Sequence, residues 1–179
     1  MNDTEEFETQ KKIYGLITRQ PGLNIATISD MLQIPSSLVI YHIRFLERHD
    51  LITIVKEPGF TRCFIKGQLS EEEKRFFFIL RQEIPFQIVV YLLKHPFSKH
   101  GEILRQFHFS KSTLSYYLKK MIQHHILDVQ ILENEQRYMI LDEAAVIRFL
   151  MKHKPSMIAF GVKDTWADIT VQKKGKLEK

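Results

Sequence analysis

Apolar residues recur along residues 109–127 at steps of three and four, as they do on one face of a helix. Leu114, Leu118 and Met121 fall on that face, so we expect them to be buried against a core. Ser110 stands where an N-cap would accept a backbone N–H, and a shorter helix is predicted just upstream, at about 101–107. Two helices joined by so short a turn indicate a helix-turn-helix.

The opposite face of the longer helix carries ammonium, hydroxyl and phenol groups. Lysines suit phosphate charge, whereas short hydroxyls and a tyrosine suit base edges. We therefore interpret this segment as a DNA recognition helix. Its predicted contacts are Lys111, Ser112, Thr113, Ser115, Tyr116, Lys119 and Lys120.

A second instance of the pattern lies 75 residues earlier in the chain. Residues 13–65 align without a gap with residues 88–140, and Tyr41 then meets Tyr116. Two copies of one small domain are the simplest explanation. In the first copy, the helix at about 36–49 would offer DNA the side chains of Ser36, Ser37, Tyr41 and Arg44.

Each recognition helix is followed by two runs rich in β-branched and aromatic residues around a turn, which predicts a hairpin, the wing. The first wing offers Lys56 and Arg62 to the DNA backbone or minor groove, and the second offers Arg137. The predicted strands are 51–56 and 61–66 in the first copy, and 128–132 and 136–141 in the second.

The predicted DNA faces of the two copies differ. Leu38 and Ile40 occupy outward positions of the first helix, where the second helix has hydroxyls. The tip of the second wing carries Glu133 and Glu135, whose charge opposes contact with DNA. We expect the second copy to supply most of the helix readout. The first would contribute wing and backbone contacts, or would be diverted to protein contacts.

The residues of the second helix also support a family resemblance. Residues 110–121 read Ser-Lys-Ser-Thr-Leu-Ser-Tyr-Tyr-Leu-Lys-Lys-Met, follow a short helix and a turn, and are closed by Ile126 and Leu127. This pattern resembles the winged helix-turn-helix regulators of the ArsR and MarR type. The doubled arrangement is similar to archaeal predicted transcriptional regulators with two such domains. The resemblance covers nearly the whole chain and implies DNA binding, without indicating a target gene or signal.

These patterns predict a mainly α fold with small β-hairpins (α+β). We expect an acidic N-terminal lead-in, a first winged helix-turn-helix domain, a linker helix, a second such domain, and C-terminal helices with a basic tail. Asp142 is expected to cap the first C-terminal helix and Pro155 to break it. The corresponding ranges are 1–10, 11–67, 68–84, 85–141 and 142–179.

A final amphipathic stretch, residues 156–171, is predicted to form part of a homodimer interface. A helix this short is marginal on its own, and two-fold DNA sites are most simply read by two-fold proteins. The alternative is that it folds back over the phenylalanines of the linker helix. Its apolar residues are Ile158, Val162, Trp166 and Ile169.

Charge and hydropathy agree with a DNA-binding protein. The formal net charge is +5, and residues 11–67 carry eight basic against four acidic residues, while residues 85–141 carry seven against four. This excess fits a polyanionic partner such as double-stranded DNA. No apolar run approaches the roughly 20 residues that span a bilayer, and the first residues are acidic, so we expect a cytoplasmic protein without membrane contact.

Enzymatic and metal chemistry is not indicated. The glycines form no phosphate-binding run, and the eight histidines lack the cysteine partners and compact spacing of a metal site. We therefore expect no cofactor and no enzyme, and read the chain as a sequence-specific transcriptional regulator. A tandem winged-helix scaffold of a chromosome or transcription complex is the alternative, since fold alone does not fix function.

Overall fold

The computed structural model describes residues 3–57 and 60–158. The chain divides into two units, Met1–Phe78 (unit 1) and Ile79–Lys179 (unit 2). Helices dominate both units, and each unit also holds a small antiparallel hairpin, so the predicted fold class is confirmed. Taken singly, no helix in the described ranges is long and apolar enough to span a membrane; only the fourth and fifth helices, combined across a break, pass by length and composition.

Unit 1 begins with three helices and a hairpin. The side chain of Asn24 accepts the N–H of Thr27 at 2.7 Å and thereby caps the second helix. Ile13, Ile17 and Val39 are buried between the helices. The elements are α1 (Asp3–Arg19), α2 (Ile25–Leu32), α3 (Ser36–Arg48), β1 (Ile52–Glu57) and β2 (Phe60–Ile65), followed by α4 (Glu71–Leu80), which crosses the unit boundary.

Unit 2 repeats this order and adds a short third strand. The two residues of its hairpin turn, Glu133 and Asn134, both have positive φ, as a two-residue type I′ turn requires. The sheet order is β3-β5-β4. The elements are α5 (Glu83–Lys94), β3 (Ser98–Lys99), α6 (His100–Gln106), α7 (Lys111–Gln123), β4 (Leu127–Leu132), β5 (Glu135–Ile140) and α8 (Glu143–Ile158).

Element bounds in the two units keep the 75-residue offset of the sequence repeat. Helices α3 and α7 both contain 13 residues, and their first residues, Ser36 and Lys111, lie 75 positions apart. The same offset relates β1 to β4 and β2 to β5. Positive φ values recur at matching positions too, at Asp50 and His125 after each of these helices. The two units therefore have one chain path from the helix-turn-helix to the end of the hairpin.

The expectation that Pro155 ends its helix is wrong, since α8 continues to Ile158. A proline removes one backbone donor, and here that loss falls within the last turns of the helix. The start of α8 is well fixed, because Asp142 Oδ1 accepts the Ala145 N–H at 2.8 Å. Further along, Val146, Phe149 and Leu150 are buried.

Two features favour glycine at position 22, in the turn between α1 and α2: the backbone conformation and the close neighbouring side chains. Its φ of +78° favours glycine, and a methyl group there would lie 3.1 Å from Cε1 of Phe64 and 3.3 Å from Cβ of Phe77. Gly67 has a similar φ of +73°, but a methyl group there would meet open space. Substituting alanine at Gly67 therefore tests backbone strain alone, whereas substituting it at Gly22 tests backbone strain and packing together.

We predict that Gly22→Ala destabilises unit 1 more than Gly67→Ala does. Gly67→Ala should cost about 1 kcal/mol, for the left-handed backbone alone. Gly22→Ala should cost roughly 1–3 kcal/mol more, because the methyl group overpacks Phe64. Urea unfolding of the two variants measures the difference, and equal losses would contradict the packing argument.

Candidate nucleic-acid interface

The outward face of α7 carries two lysines among hydroxyl and phenol groups. Leu114, Leu118 and Met121 are buried, as the pattern predicts. Tyr116 is 55% exposed, and its ring meets that of Tyr117 edge to face, with centroids 5.1 Å apart. The side chains exposed on this helix include Lys111, Ser112, Ser115, Tyr116 and Lys119.

Hydroxyl groups at the start of α7 are partly committed to the helix cap. Ser110 Oγ accepts the Thr113 N–H at 3.1 Å, and it lies 2.8 Å from the hydroxyls of both Ser112 and Thr113. Thr113 is half-buried, whereas Ser112 is exposed. Of the two, Ser112 is therefore the better placed to reach DNA.

Lys120 does not lie on the exposed face, so its prediction as an outward DNA contact is wrong. Only 8% of the residue is exposed, and its ammonium group is 6.0 Å from the centroid of the Tyr116 ring. The residue lies on the flank of α7 next to Met121, where the aliphatic stem of a lysine can pack against apolar neighbours. Its charge supports Tyr116 from one side through a cation–π contact.

The arginine shared by both wings serves the fold rather than an exposed wing surface. Arg62 is 5% exposed, its Nη1 donates to the Gly22 carbonyl at 3.2 Å, and burial lowers its pKa. The predicted contact of Arg62 with DNA is therefore wrong, because its guanidinium is enclosed. Arg137 donates to the Phe97 carbonyl at 3.5 Å and to the Glu133 carboxylate at 3.2 Å. Both of these contacts lie within unit 2.

In unit 1, a residue of α1 contacts the outward face of α3. Tyr41 is 47% exposed and donates its hydroxyl hydrogen to Glu6 Oε1 at 2.8 Å, a bond that raises the pKa of Tyr41. Unit 2 has no counterpart of the first residues of α1, because α5 begins at Glu83, which aligns with Glu8. The carboxylate of Glu6 is thus hydrogen-bonded to Tyr41, the tyrosine that we expected to face DNA.

The exposed surface of α3 around Tyr41 forms a shallow groove of about 530 Å³. The predicted DNA contacts Ser36, Ser37 and Arg44 are all exposed. The groove is also lined by Ile40 and Glu47, so it mixes apolar and acidic groups with basic ones. Its remaining lining residues are Ser37, Tyr41, Arg44 and Arg48.

A second groove, of about 480 Å³, lies beside α7, and its lining includes Lys111 and Lys119 together with the apolar Leu118 and Ile122. His100, the first residue of α6, places its ring Nε2 3.0 Å from the Ser115 hydroxyl. Burial and the nearby Lys111 lower the pKa of His100. Sequence reasoning missed this histidine, since 15 residues separate it from Ser115. Other polar residues that line the groove are Gln123 and Gln136.

The two wings differ in their charge. Lys56 is exposed near the end of β1, and the turn that follows, residues 58 and 59, lies outside the described residues. The second wing has Ile131 73% exposed, and Glu135 forms an ion pair with Lys99 that lowers the pKa of Glu135. The second wing is thus apolar and acidic towards its tip.

The residues predicted for dimerisation are not described in the structure. Ile158 is the last residue of α8, and its side chain lies outside the described part of the chain. Val162, Trp166 and Ile169 lie outside it altogether.

Unit 1 thus has the helices and hairpin of a winged helix-turn-helix, and its sequence agrees. Residues 7–53 match the family model described as winged helix-turn-helix DNA-binding. The chain is also similar to an uncharacterized HTH-type transcriptional regulator of Methanocaldococcus jannaschii, with 28% identity over 114 residues. That alignment covers 64% of this chain and 28% of the relative, so the chain spans little more than a quarter of the relative's length.

We predict that Lys111→Ala and Lys119→Ala each flatten the slope of log affinity against log salt by about 0.9, because each removes one phosphate contact. Lys120→Ala is the matched control: the same charge is lost from the same helix, but from a buried position. Its slope should stay that of the wild type. Fluorescence anisotropy with a labelled duplex at several salt concentrations measures all three, and equal slopes for the three variants would contradict the assignment of faces.

Proposed function

We propose that this chain is a sequence-specific transcriptional regulator of the ArsR/MarR type that binds double-stranded DNA in the cytoplasm. In this proposal it is built as two winged helix-turn-helix domains, at 11–67 and 85–141. The observation that carries it is the exposed face of α7, where lysines flank hydroxyl and phenol groups over a fully packed apolar face. Such a face can neutralise phosphates and reach base edges from one rigid element.

Roles within this face follow from the chemistry of each group. Lys111 and Lys119 are placed to contact phosphates, which fixes the position of the helix without reading sequence. Ser112, Ser115 and Tyr116 lie between and beside them and would enter the major groove, where short hydroxyls and an aromatic ring meet base edges. We assign base selectivity to these three residues.

Unit 1 has the weaker DNA face in this proposal. Its arginine on β2 is buried, Tyr41 is engaged by Glu6, and its groove contains Ile40 and Glu47. The groups left for DNA are small hydroxyls together with Arg44 and Lys56. We therefore propose that unit 1 contacts the DNA backbone and that unit 2 reads the bases.

Selection of bound duplexes from a random-sequence pool tests the proposed function. We expect a discrete, salt-sensitive complex with a recurring sequence, whose affinity for an unrelated duplex is at least about a thousandfold lower. Tyr116→Ala should cost roughly 1–3 kcal/mol on the selected duplex and less on the unrelated one. Failure of the wild type to retain any duplex at low salt would overturn the proposal.

A protein-interaction scaffold is the second candidate, and one observation favours it. Ile131 is 73% exposed and Leu132 43% exposed on the second wing, beside acidic residues that would oppose DNA phosphates. A wing of this composition suits a protein surface better than a nucleic acid. The same selection experiment separates the two candidates, since a scaffold would not enrich a sequence.

We predict that Glu6→Gln strengthens duplex binding about threefold at low salt, because it removes a carboxylate from the DNA face of α3 while keeping an acceptor for Tyr41. Glu72→Gln is the matched control, since it removes the same charge from the exposed first turn of α4. Anisotropy titrations compare the two variants. An equal gain for both would show that only net charge matters and that the Glu6–Tyr41 contact is irrelevant to DNA binding.

We further propose that the chain acts as a homodimer through residues 156–171, because two-fold operators are most simply read by two-fold proteins. A chain truncated after Lys154 should then be a folded monomer with weaker duplex affinity, since each half-site would be bound alone. Light scattering of the truncated and full chains measures this. A truncated chain that remains a stable dimer would place the interface elsewhere.

A further inference from the structure

We propose that His100 is a positioning residue for DNA readout, acting through the hydroxyl group of Ser115. The inference rests on the proposed function and adds to it a residue that does not lie on the recognition helix. His100 is the first residue of α6, and its ring spans from the supporting helix to the recognition helix.

The geometry gives Ser115 a fixed partner on its protein side. A serine hydroxyl has one hydrogen and two lone pairs, and it rotates to suit its neighbours. His100 Nε2 lies 3.0 Å from Ser115 Oγ, so a hydrogen bond to the ring uses either the hydroxyl hydrogen or one of the lone pairs. If Nε2 carries a proton, it donates to Oγ, and the hydroxyl hydrogen is free to point outwards. If Nε2 is bare, it accepts that hydrogen, and Ser115 offers DNA only lone pairs.

The protonation state of His100 therefore decides what Ser115 presents to a base edge. A hydroxyl hydrogen directed at DNA recognises an acceptor such as N7 or O6 of guanine, whereas a lone pair recognises an exocyclic amino group. The imidazolium form, with both ring nitrogens protonated, allows only the first of these arrangements. Protonation of His100 would thus narrow the readout at one base position.

DNA itself would favour that protonated form. In the free protein, burial and Lys111 keep the pKa of His100 below its ordinary value. Phosphates that pair with Lys111 and Lys119 would cancel this opposing charge and add negative potential of their own. The charged and titratable groups that line the groove with His100 are Lys111 and Lys119 on α7 and Tyr138 on β5. Next to His100 in the sequence, Lys99 on β3 is paired with Glu135 on β5, and Glu102 follows on α6.

Several of these neighbours are already compensated within unit 2. Lys99 is paired with Glu135, and Glu102 accepts the backbone N–H of Lys99 at 2.8 Å. Lys111 is therefore the charge that acts most directly on the ring, and it is a group that phosphates would neutralise. Since the pKa of His100 is higher in the complex than in the free protein, affinity should rise as pH falls through the window between the two values. The gain in affinity is complete below the pKa of His100 in the free protein, and it is absent above the pKa of His100 in the complex.

A double-mutant cycle with His100→Gln and Ser115→Ala tests the inference on the duplex selected by the wild type. Each single variant should lose affinity about fivefold, the net worth of one hydrogen bond. The double variant should lose no more than Ser115→Ala alone, because His100 acts through the serine. On an unrelated duplex, all three variants should match the wild type within about twofold.

His108→Gln provides the matched control, since His108 is an exposed histidine in the turn before α7. It should keep both the affinity and the pH dependence of the wild type, whereas His100→Gln should lose the rise in affinity at low pH. Circular dichroism establishes that each variant is folded.

Three results would overturn the inference. These are additive losses in the cycle, equal losses on both duplexes, and a pH dependence that survives in His100→Gln. If the wild type selects no duplex at all, the proposed function itself fails and the inference fails with it. If the wild type does select a duplex but the losses in the cycle are additive, only the role of His100 is overturned and the proposed function stands.

Discussion

The hydrogen bonds that join the second hairpin strand to the turn before the helix-turn-helix fix the geometry on which both units depend. In unit 1, the Gly22 N–H donates to the Cys63 carbonyl and the Cys63 N–H donates to the Leu23 carbonyl, each at 2.9 Å, while Arg62 closes on the Gly22 carbonyl. In unit 2, β3 pairs with β5, and Arg137 reaches the Phe97 carbonyl at the position matching Gly22. This connection therefore ties the wing to the start of the supporting helix in each unit. Burial here also raises the pKa of Cys63 to about 12, so its thiol stays protonated and acts as an apolar filler.

The helices and hairpins could be predicted from the sequence because their signals are local. The apolar period located α3 and α7, Ser110 and Asp142 marked helix starts, and turn chemistry located the wings. The errors concern side chains whose surroundings are set by distant parts of the chain. An arginine in a wing strand suggests a DNA contact, but the carbonyl that receives Arg62 lies 40 residues away. Lys120 was misplaced because a lysine on the flank of a helix can bury its stem, which periodicity alone does not reveal.

The two units show how one fold can present different surfaces without changing its core. Three buried positions are common to α3 and α7, since Val39, Ile43 and Leu46 match Leu114, Leu118 and Met121. Their outward faces differ in what the preceding helix brings to them. Helix α1 begins five positions earlier than α5 in the aligned numbering (Asp3 against Glu83, which aligns with Glu8), and those extra residues deliver Glu6 to Tyr41. Charge at a recognition face is therefore governed by the length of a neighbouring helix as well as by the residues of the recognition helix.

In unit 2 the proposed site extends beyond the recognition helix to α6. The start of α6 lies beside the first half of α7, and this brings His100 to Ser115. In unit 1 the matching pair is Ile25 and Ile40, which can pack but cannot orient a hydroxyl. Histidine and serine at these positions of unit 2 form a polar contact at the edge of a groove. A polar pair at such an edge contributes little to packing, and its hydrogen bond fixes one bonding direction of an exposed hydroxyl, which is the basis of the role we propose for His100.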